Sequence, residues 1–222
     1  MDLQSRINRY LPLNSLEETL KYLFLNNTPL DQIDYGSRTF QRNVRPEKNL
    51  TQEETICKFR EFISKAADGS YMTTDMYIPN GRSLYIRKYP RYLFDSNHYH
   101  KDALEINVVL QGEFYQKING QILRLFAGDI CFVAPKTKHA SRSCDDSTIV
   151  LSVIVYQNVI KELVKRIEME EGTLQIFFNR ILLGKNYHPF LICRTGADDD
   201  LAGMIMDMEE TRTNKVHIRT CI

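Results

Sequence analysis

The spacing of apolar positions changes its period twice along the chain. From residue 1 to about residue 69 the period is helical. In SLEETLKYLF, Leu16, Leu20, Leu23 and Phe24 recur at helical spacing, and Ser15 with Glu18 three positions on reads as a capping box. TQEETICKFREFISKAADG repeats the device with Thr51 and Glu54. Ile56, Phe59, Phe62, Ile63 and Ala66 form its apolar stripe, and Gly69 is its stop. The stretch between them, NNTPLDQIDYGSRTFQRNVRPEKN, reads as irregular.

From about residue 70 to 157 the pattern is that of short strands: SLYIRKY, ALEINVVL, EFYQKI, QILRLF, ICFVA and STIVLSVIVY, cut by turn residues. Asn119-Gly120 between two such runs predicts a tight hairpin, because both residue types tolerate positive φ. Strands this short and this dense imply a sandwich or a small barrel. From 158 to 222 the period is helical again. Val159, Ile160, Leu163, Val164 and Ile167 share one face, TLQIFFNRILLG gives a helix ended by Gly184, and DDDLAGMIMDMEE opens with acids and carries Leu201, Ile205 and Met208 on one side. The expected organisation is therefore 1–69 as an N-terminal helical extension, 70–157 as a β-barrel, and 158–222 as helices suited to dimerisation.

Composition narrows the class. The chain has 222 residues, 43% of them hydrophobic, which suffices for one good core. A formal net charge of +1 leaves no global footprint for nucleic acid or an anionic membrane. Five scattered cysteines without a CxxC pair argue against a disulfide framework or a thiolate zinc site and fit a reducing cytoplasm. The start lacks a signal-peptide core, and the most apolar run, TIVLSVIVY, is about half the length a membrane helix needs. The expectation is a soluble, cytoplasmic protein.

The candidate chemistry lies in HYHKDALEINVVLQG. His98 and His100 share a strand face. A bend at Lys101-Asp102 returns Glu105 to that side, and His139, in GDICFVAPKTKH, meets them if the β region closes on itself. Three imidazoles and a carboxylate suit zinc, nickel, iron or manganese. The same groups hydrogen-bonded to one another would make a metal-free polar pocket. Asn107 lies on the face of Glu105 and Ser141 on that of His139, so both are candidate ligand contacts. Lys136, Lys138 and Arg142 surround His139 and read first as solvated charge. There is no Gly-x-Ser-x-Gly nucleophile context and no phosphate-binding glycine loop.

His98-x-His100-x4-Glu105-x6-Gly112 resembles the first cupin motif. GDICFVAPKTKH resembles the second, with Ala134 where the family has proline and Lys136 where it has glycine. The resemblance implies a mainly β chain with flanking helices, a cupin-like double-stranded β-barrel or jelly roll. The H-x-H strand, the hairpin, the Pro135 loop, the long final strand and the helices after it are similar to the N-terminal effector-binding domain of AraC-type transcription regulators, over about residues 84–222. That implies a non-enzymatic sensor binding a small-molecule effector at His98, His100, Glu105, Asn107, His139 and Ser141. It would be a homodimer through its C-terminal helices, reaching DNA only through a helix-turn-helix domain not in this chain, and with no required cofactor. The rival is a metal-dependent cupin enzyme, a dioxygenase or sugar isomerase, with His98, His100, Glu105 and His139 as ligands.

Overall fold

The structure is a computed structural model that describes residues 2–28, 32–44, 50–67, 84–93, 98–166, 172–184, 187–196 and 199–219. Four helices come first: α1 (Leu3–Asn8), α2 (Ser15–Leu25), α3 (Arg38–Asn43) and α4 (Gln52–Ala67). Seven strands follow, β1 (Leu84–Lys88), β2 (Ala103–Gln111), β3 (Glu113–Ile118), β4 (Gln121–Phe126), β5 (Asp129–Val133), β6 (His139–Arg142) and β7 (Ile149–Tyr156). The chain continues through α5 (Gln157–Arg166), α6 (Thr173–Leu182), β8 (Phe190–Arg194) and α7 (Asp199–Arg219).

The strands form a five-stranded sheet, β1-β7-β2-β5-β8, and a three-stranded sheet, β4-β3-β6, with antiparallel pairing throughout. This is the cupin jelly roll that the motif spacing implies. Between the sheets lie Val109, Phe114, Ile118, Leu125, Cys131, Val133 and Val150. The other face of the large sheet is covered too. Leu104, Val153 and Val155 pack against Ile160 of α5 and Phe177 and Ile181 of α6, while Val108, Leu110 and Leu151 pack against Ile7 of α1 and Met206 of α7. Burial on both sides explains why β7 reads as one unbroken apolar run.

The N-terminal helices belong to the barrel's own core. Leu20, Leu23, Phe40 and Val44 share one cluster with the inward residues of both sheets. Arg91 and Glu17, both fully buried, tie this region down. Arg91 donates to Glu17 through Nε (3.0 Å), Nη2 (2.9 Å) and its backbone N (3.1 Å), and to the carbonyls of Tyr10, Leu11 and Pro12. Lys88 Nζ donates to the same carboxylate at 2.9 Å.

The hairpin at Asn119-Gly120 forms as expected, with φ of 48° and 87°. Gly112 is required where β2 passes into β3: φ is +76°, and a Cβ there would lie 2.5 Å from Thr148 Oγ1. Several local expectations are corrected. The cap of α2 is Asn14 with Glu17, one residue earlier than Ser15 with Glu18, because Asn14 is the residue whose side chain accepts from Glu17 N. The Thr51–Glu54 box stands. The stretch read as irregular contains α3, capped by Ser37. The region read as helical after residue 158 supplies β8, which pairs along β5. In α7 the buried sulfur residue is Met206, whereas Met208 is exposed. Gly69, Ile167 and the side chains of Phe59, Phe62, Ile63, Ala66, Leu163 and Val164 lie outside what is described.

Candidate metal centre

Glu105 sits near the start of β2 on its inner face, with Asn107 two positions on. His100 precedes the strand, separated from it by the bend at Lys101-Asp102 that the spacing demands. His98 and His139 are joined by a two-way backbone bridge, each N donating to the other's O at 2.9 Å. That bridge carries the first motif across to β6, and the ring centroids of His98 and His139 lie 4.2 Å apart. His98, His100, Glu105 and His139 are each at most 4% exposed. One ligand atom from each lies within 4.8 Å of the others.

Glu105 Oε2 is the focus. His139 Nε2 lies 2.8 Å from it, His100 Nε2 3.0 Å and His98 Nε2 4.0 Å. The opposite oxygen, Oε1, accepts from Asn107 Nδ2 at 3.0 Å and Ser152 Oγ at 3.1 Å. The carboxylate is therefore gripped from the large sheet by one oxygen and presented to the imidazoles by the other.

The proton count at His139 is informative. Its Nδ1 lies 2.8 Å from the carbonyl of Thr137, an acceptor only, so Nδ1 carries a hydrogen. Its Nε2 then faces a carboxylate oxygen, also an acceptor. Either Nε2 is protonated too, making an imidazolium, or a cation stands in for that proton. Burial pushes the Glu105 carboxyl up, but the His139 charge and the hydrogen bonds from His100 and His139 outweigh it and hold Glu105 well below its usual range. Burial dominates at His100 and holds that imidazole below its ordinary value, in the neutral form that metals bind. The donor set fits a divalent ion: octahedral bonds of about 2.1 Å place neighbouring donors about 3 Å apart, near the separations of Glu105 from His100 and His139.

All four residues singled out as ligands are thus brought together. Asn107 and Ser141 are placed differently from one another. Asn107 holds Glu105, while Ser141 accepts from Gln116 Nε2 at 3.3 Å, one step deeper along β6. Lys136, Lys138 and Arg142 are exposed, whereas the four are buried. Lys136, at the position of the motif's glycine, has φ of +63°, and its N donates to His100 O at 2.6 Å. That glycine marks a left-handed turn closing against the first motif. Sequence reasoning missed Ser152, which lies 47 residues from Glu105 and reaches it only through the β2–β7 register.

Residues 91–156 match the Cupin domain family, so a cupin domain is present there. A comparison with curated proteins found no match. Among solved structures, a predicted oxalate decarboxylase from Thermotoga maritima is similar at 27% identity, over 33% of this chain and 64% of that one, with a TM-score of 0.30. KdgF from Halomonas sp. is similar at 22% identity, over 36% of this chain and 74% of that one, with a TM-score of 0.31. Wild-type ToxT from Vibrio cholerae with bound unsaturated fatty acid is similar at 14% identity, over 55% of this chain and 44% of that one, with a TM-score of 0.37. The chain thus spans under two thirds of the first and last of these. No helix among the described residues is long and apolar enough to cross a membrane.

Proposed function

We propose that the chain is the small-molecule-sensing module of an AraC-type transcription regulator, with a divalent metal held by His98, His100, Glu105 and His139 as the anchor for its effector. The observation that carries the metal is the pair of acceptors facing His139, Thr137 O and Glu105 Oε2, which leaves a place for one positive charge. When bound, the ion would supply a Lewis-acidic seat for an oxygen of the ligand. The protein's own part is to orient: Asn107 and Ser152 fix the carboxylate, and Thr137 fixes the imidazole tautomer.

The sensor role is supported by strand β2. Its inner face carries Glu105 and Asn107, and its outer face carries Leu104 against α5 and α6 and Val108 against α1 and α7. A ligand that alters the position of β2 bears directly on both helix pairs, and it shifts an equilibrium only by binding one arrangement better than another. Ile176 of α6, Leu183 at its C-cap, and Met204 and Met208 of α7 remain exposed, which suits pairing of two chains. The second reading, a metal-dependent cupin enzyme, is favoured by the completeness of the four-residue donor set.

Elemental analysis of protein purified without chelator or added metal tests the proposal. Near-stoichiometric iron, manganese, nickel or zinc, lost in His139→Ala, supports it. A metal-free protein that takes up none of these ions overturns the metal centre. Turnover of a substrate by the loaded protein would move the reading to the enzyme.

A further inference from the structure

Beneath the four ligands lies a layer of uncharged polar side chains. Asn107 is one inward step along β2 from Glu105 and is in register with Ser152 on β7. Ser141 is one inward step along β6 from His139 and is in register with Gln116 on β3. Since Glu105 touches His139, these two rows stand at the same depth on facing sheets. The next step is apolar, with Val109, Val150 and Phe114, apart from Ser143 just past the end of β6.

Asn107, Gln116 and Ser143 are at most 1% exposed, yet Asn107 Oδ1, Gln116 Oε1 and Ser143 Oγ have no hydrogen-bond partner among the described residues. The Asn107 amide is oriented by its other end, since Nδ2 donates to the Glu105 carboxylate, while Gln116 bonds Ser141 Oγ, a hydroxyl that can donate or accept. Turning Asn107 over would aim Oδ1 at a carboxylate. Asn107 Oδ1 is thus left for a partner that donates a hydrogen bond, and the free end of the Gln116 amide and the Ser143 hydroxyl for polar partners, since buried polar groups without one are costly. A plain carboxylate or a fatty-acid head offers Asn107 Oδ1 only further acceptors. An ammonium would donate, but it would sit beside a bound cation and Arg87, the register partner of Ser152 on β1. Hydroxyl groups remain.

We infer that the layer of Asn107, Gln116, Ser141 and Ser143 is the seat of a small polyhydroxylated ligand, whose hydroxyls donate to Asn107 Oδ1 and bond the free end of the Gln116 amide while another of its oxygens faces the metal ligands. This rests on the metal-centre reading and names its ligand class. No covalent step is involved.

The test is calorimetric titration of the full metal-loaded chain with glycerol, erythritol and glycerate, with propionate as the hydroxyl-free counterpart of glycerate. Saturable binding of the hydroxylated probes, with propionate at least tenfold weaker, is the expected result. Gln116→Leu, which touches none of the four ligands, should weaken the hydroxylated probes at least tenfold with metal content unchanged. Ser143→Ala serves as a second variant should the first fail to fold. The inference is overturned if none of the hydroxylated probes binds a chain that carries its full metal complement, or if propionate binds as well as glycerate. It also fails if both folded variants bind like the parent. Repeating the titration after chelation separates the two readings. An absent metal sinks the metal centre, whereas hydroxyl-dependent binding that is sensitive to Gln116→Leu still decides the ligand class.

Discussion

Glu17 and Glu105 are both buried among nitrogen-bearing side chains, and they serve opposite ends. Glu17 meets Arg91 and Lys88. Glu105 meets His98, His100 and His139. Guanidinium and ammonium groups are donors only and carry no lone pair for a metal, so the Glu17 cluster is a permanent tie between the N-terminal helices and β1. Imidazole exchanges a proton for a metal at ordinary pH, so the Glu105 cluster can accept a cation. The same carboxylate, equally buried, is a latch in one place and a candidate ligand in the other because of its partners alone.

That contrast is most strongly tested at the latch. Arg91→Ala leaves Glu17 buried beside Lys88 alone and removes the guanidinium bonds to the carbonyls of Leu11 and Pro12, while the Tyr10 carbonyl keeps Lys88 Nζ. Urea unfolding should show a loss of about 3–5 kcal/mol, the usual cost of removing one partner from a buried pair. A loss under about 1 kcal/mol would show that the region is not held this way. At the other cluster, His139→Ala should leave a folded chain whose metal content falls to background in elemental analysis. Retained stoichiometric metal would break the assignment of this cluster.

Weaker effects sharpen the comparison. Ser152→Ala removes one of the two bonds to Glu105 Oε1 and should reduce metal affinity about 10–100-fold in competition with a chelator, as outer supports of metal ligands do. Acid should affect the two clusters at different points. Burial pushes the Glu17 carboxyl up, but bonds from Arg91 and Lys88 prevail and hold it below its ordinary 4.5. A depressed carboxylate contributes stability that is present above about pH 4.5 and lost as the pH falls through the lower folded value. Metal binding should already fade below about pH 6, as free imidazole protonates. Unfolding curves and metal content followed over pH 3–7, a range chosen about the reference values, check both. Simultaneous loss would show that the clusters are coupled. The smallest effect is at Lys136, whose left-handed φ suits glycine. Lys136→Gly should raise stability by about 0.5–1 kcal/mol in thermal or urea unfolding, and a loss would mean that the side chain contributes more than the strain costs.

Much of this was legible before any coordinates. The alternation in EFYQKI and QILRLF, the Asn119-Gly120 pair and the apolar run of β7 specify strands and a hairpin through local periodicity and turn chemistry. Parity along a strand pairs His98 with His100, a bend at Lys101-Asp102 returns Glu105 to their side, and the resemblance to the two cupin motifs points to His139 as the fourth member of the cluster. Boundaries set by competing caps were less legible: Asn14 displaces Ser15 because its side chain reaches Glu17 N.

The sequence by itself determined the alternation that builds two facing sheets and the residue types at His98, His100, Glu105 and His139, since both are properties of short segments. Tertiary structure alone decided what those segments meet. Ser152 comes to Glu105 through pairing of β2 with β7, and Glu17 to Arg91 across 74 residues. Phe190–Arg194 becomes a strand because the edge of β5 is there to pair with it. Such contacts depend on distances across the folded chain that no local period encodes, and a buried charge reveals its role only when its partners are in place.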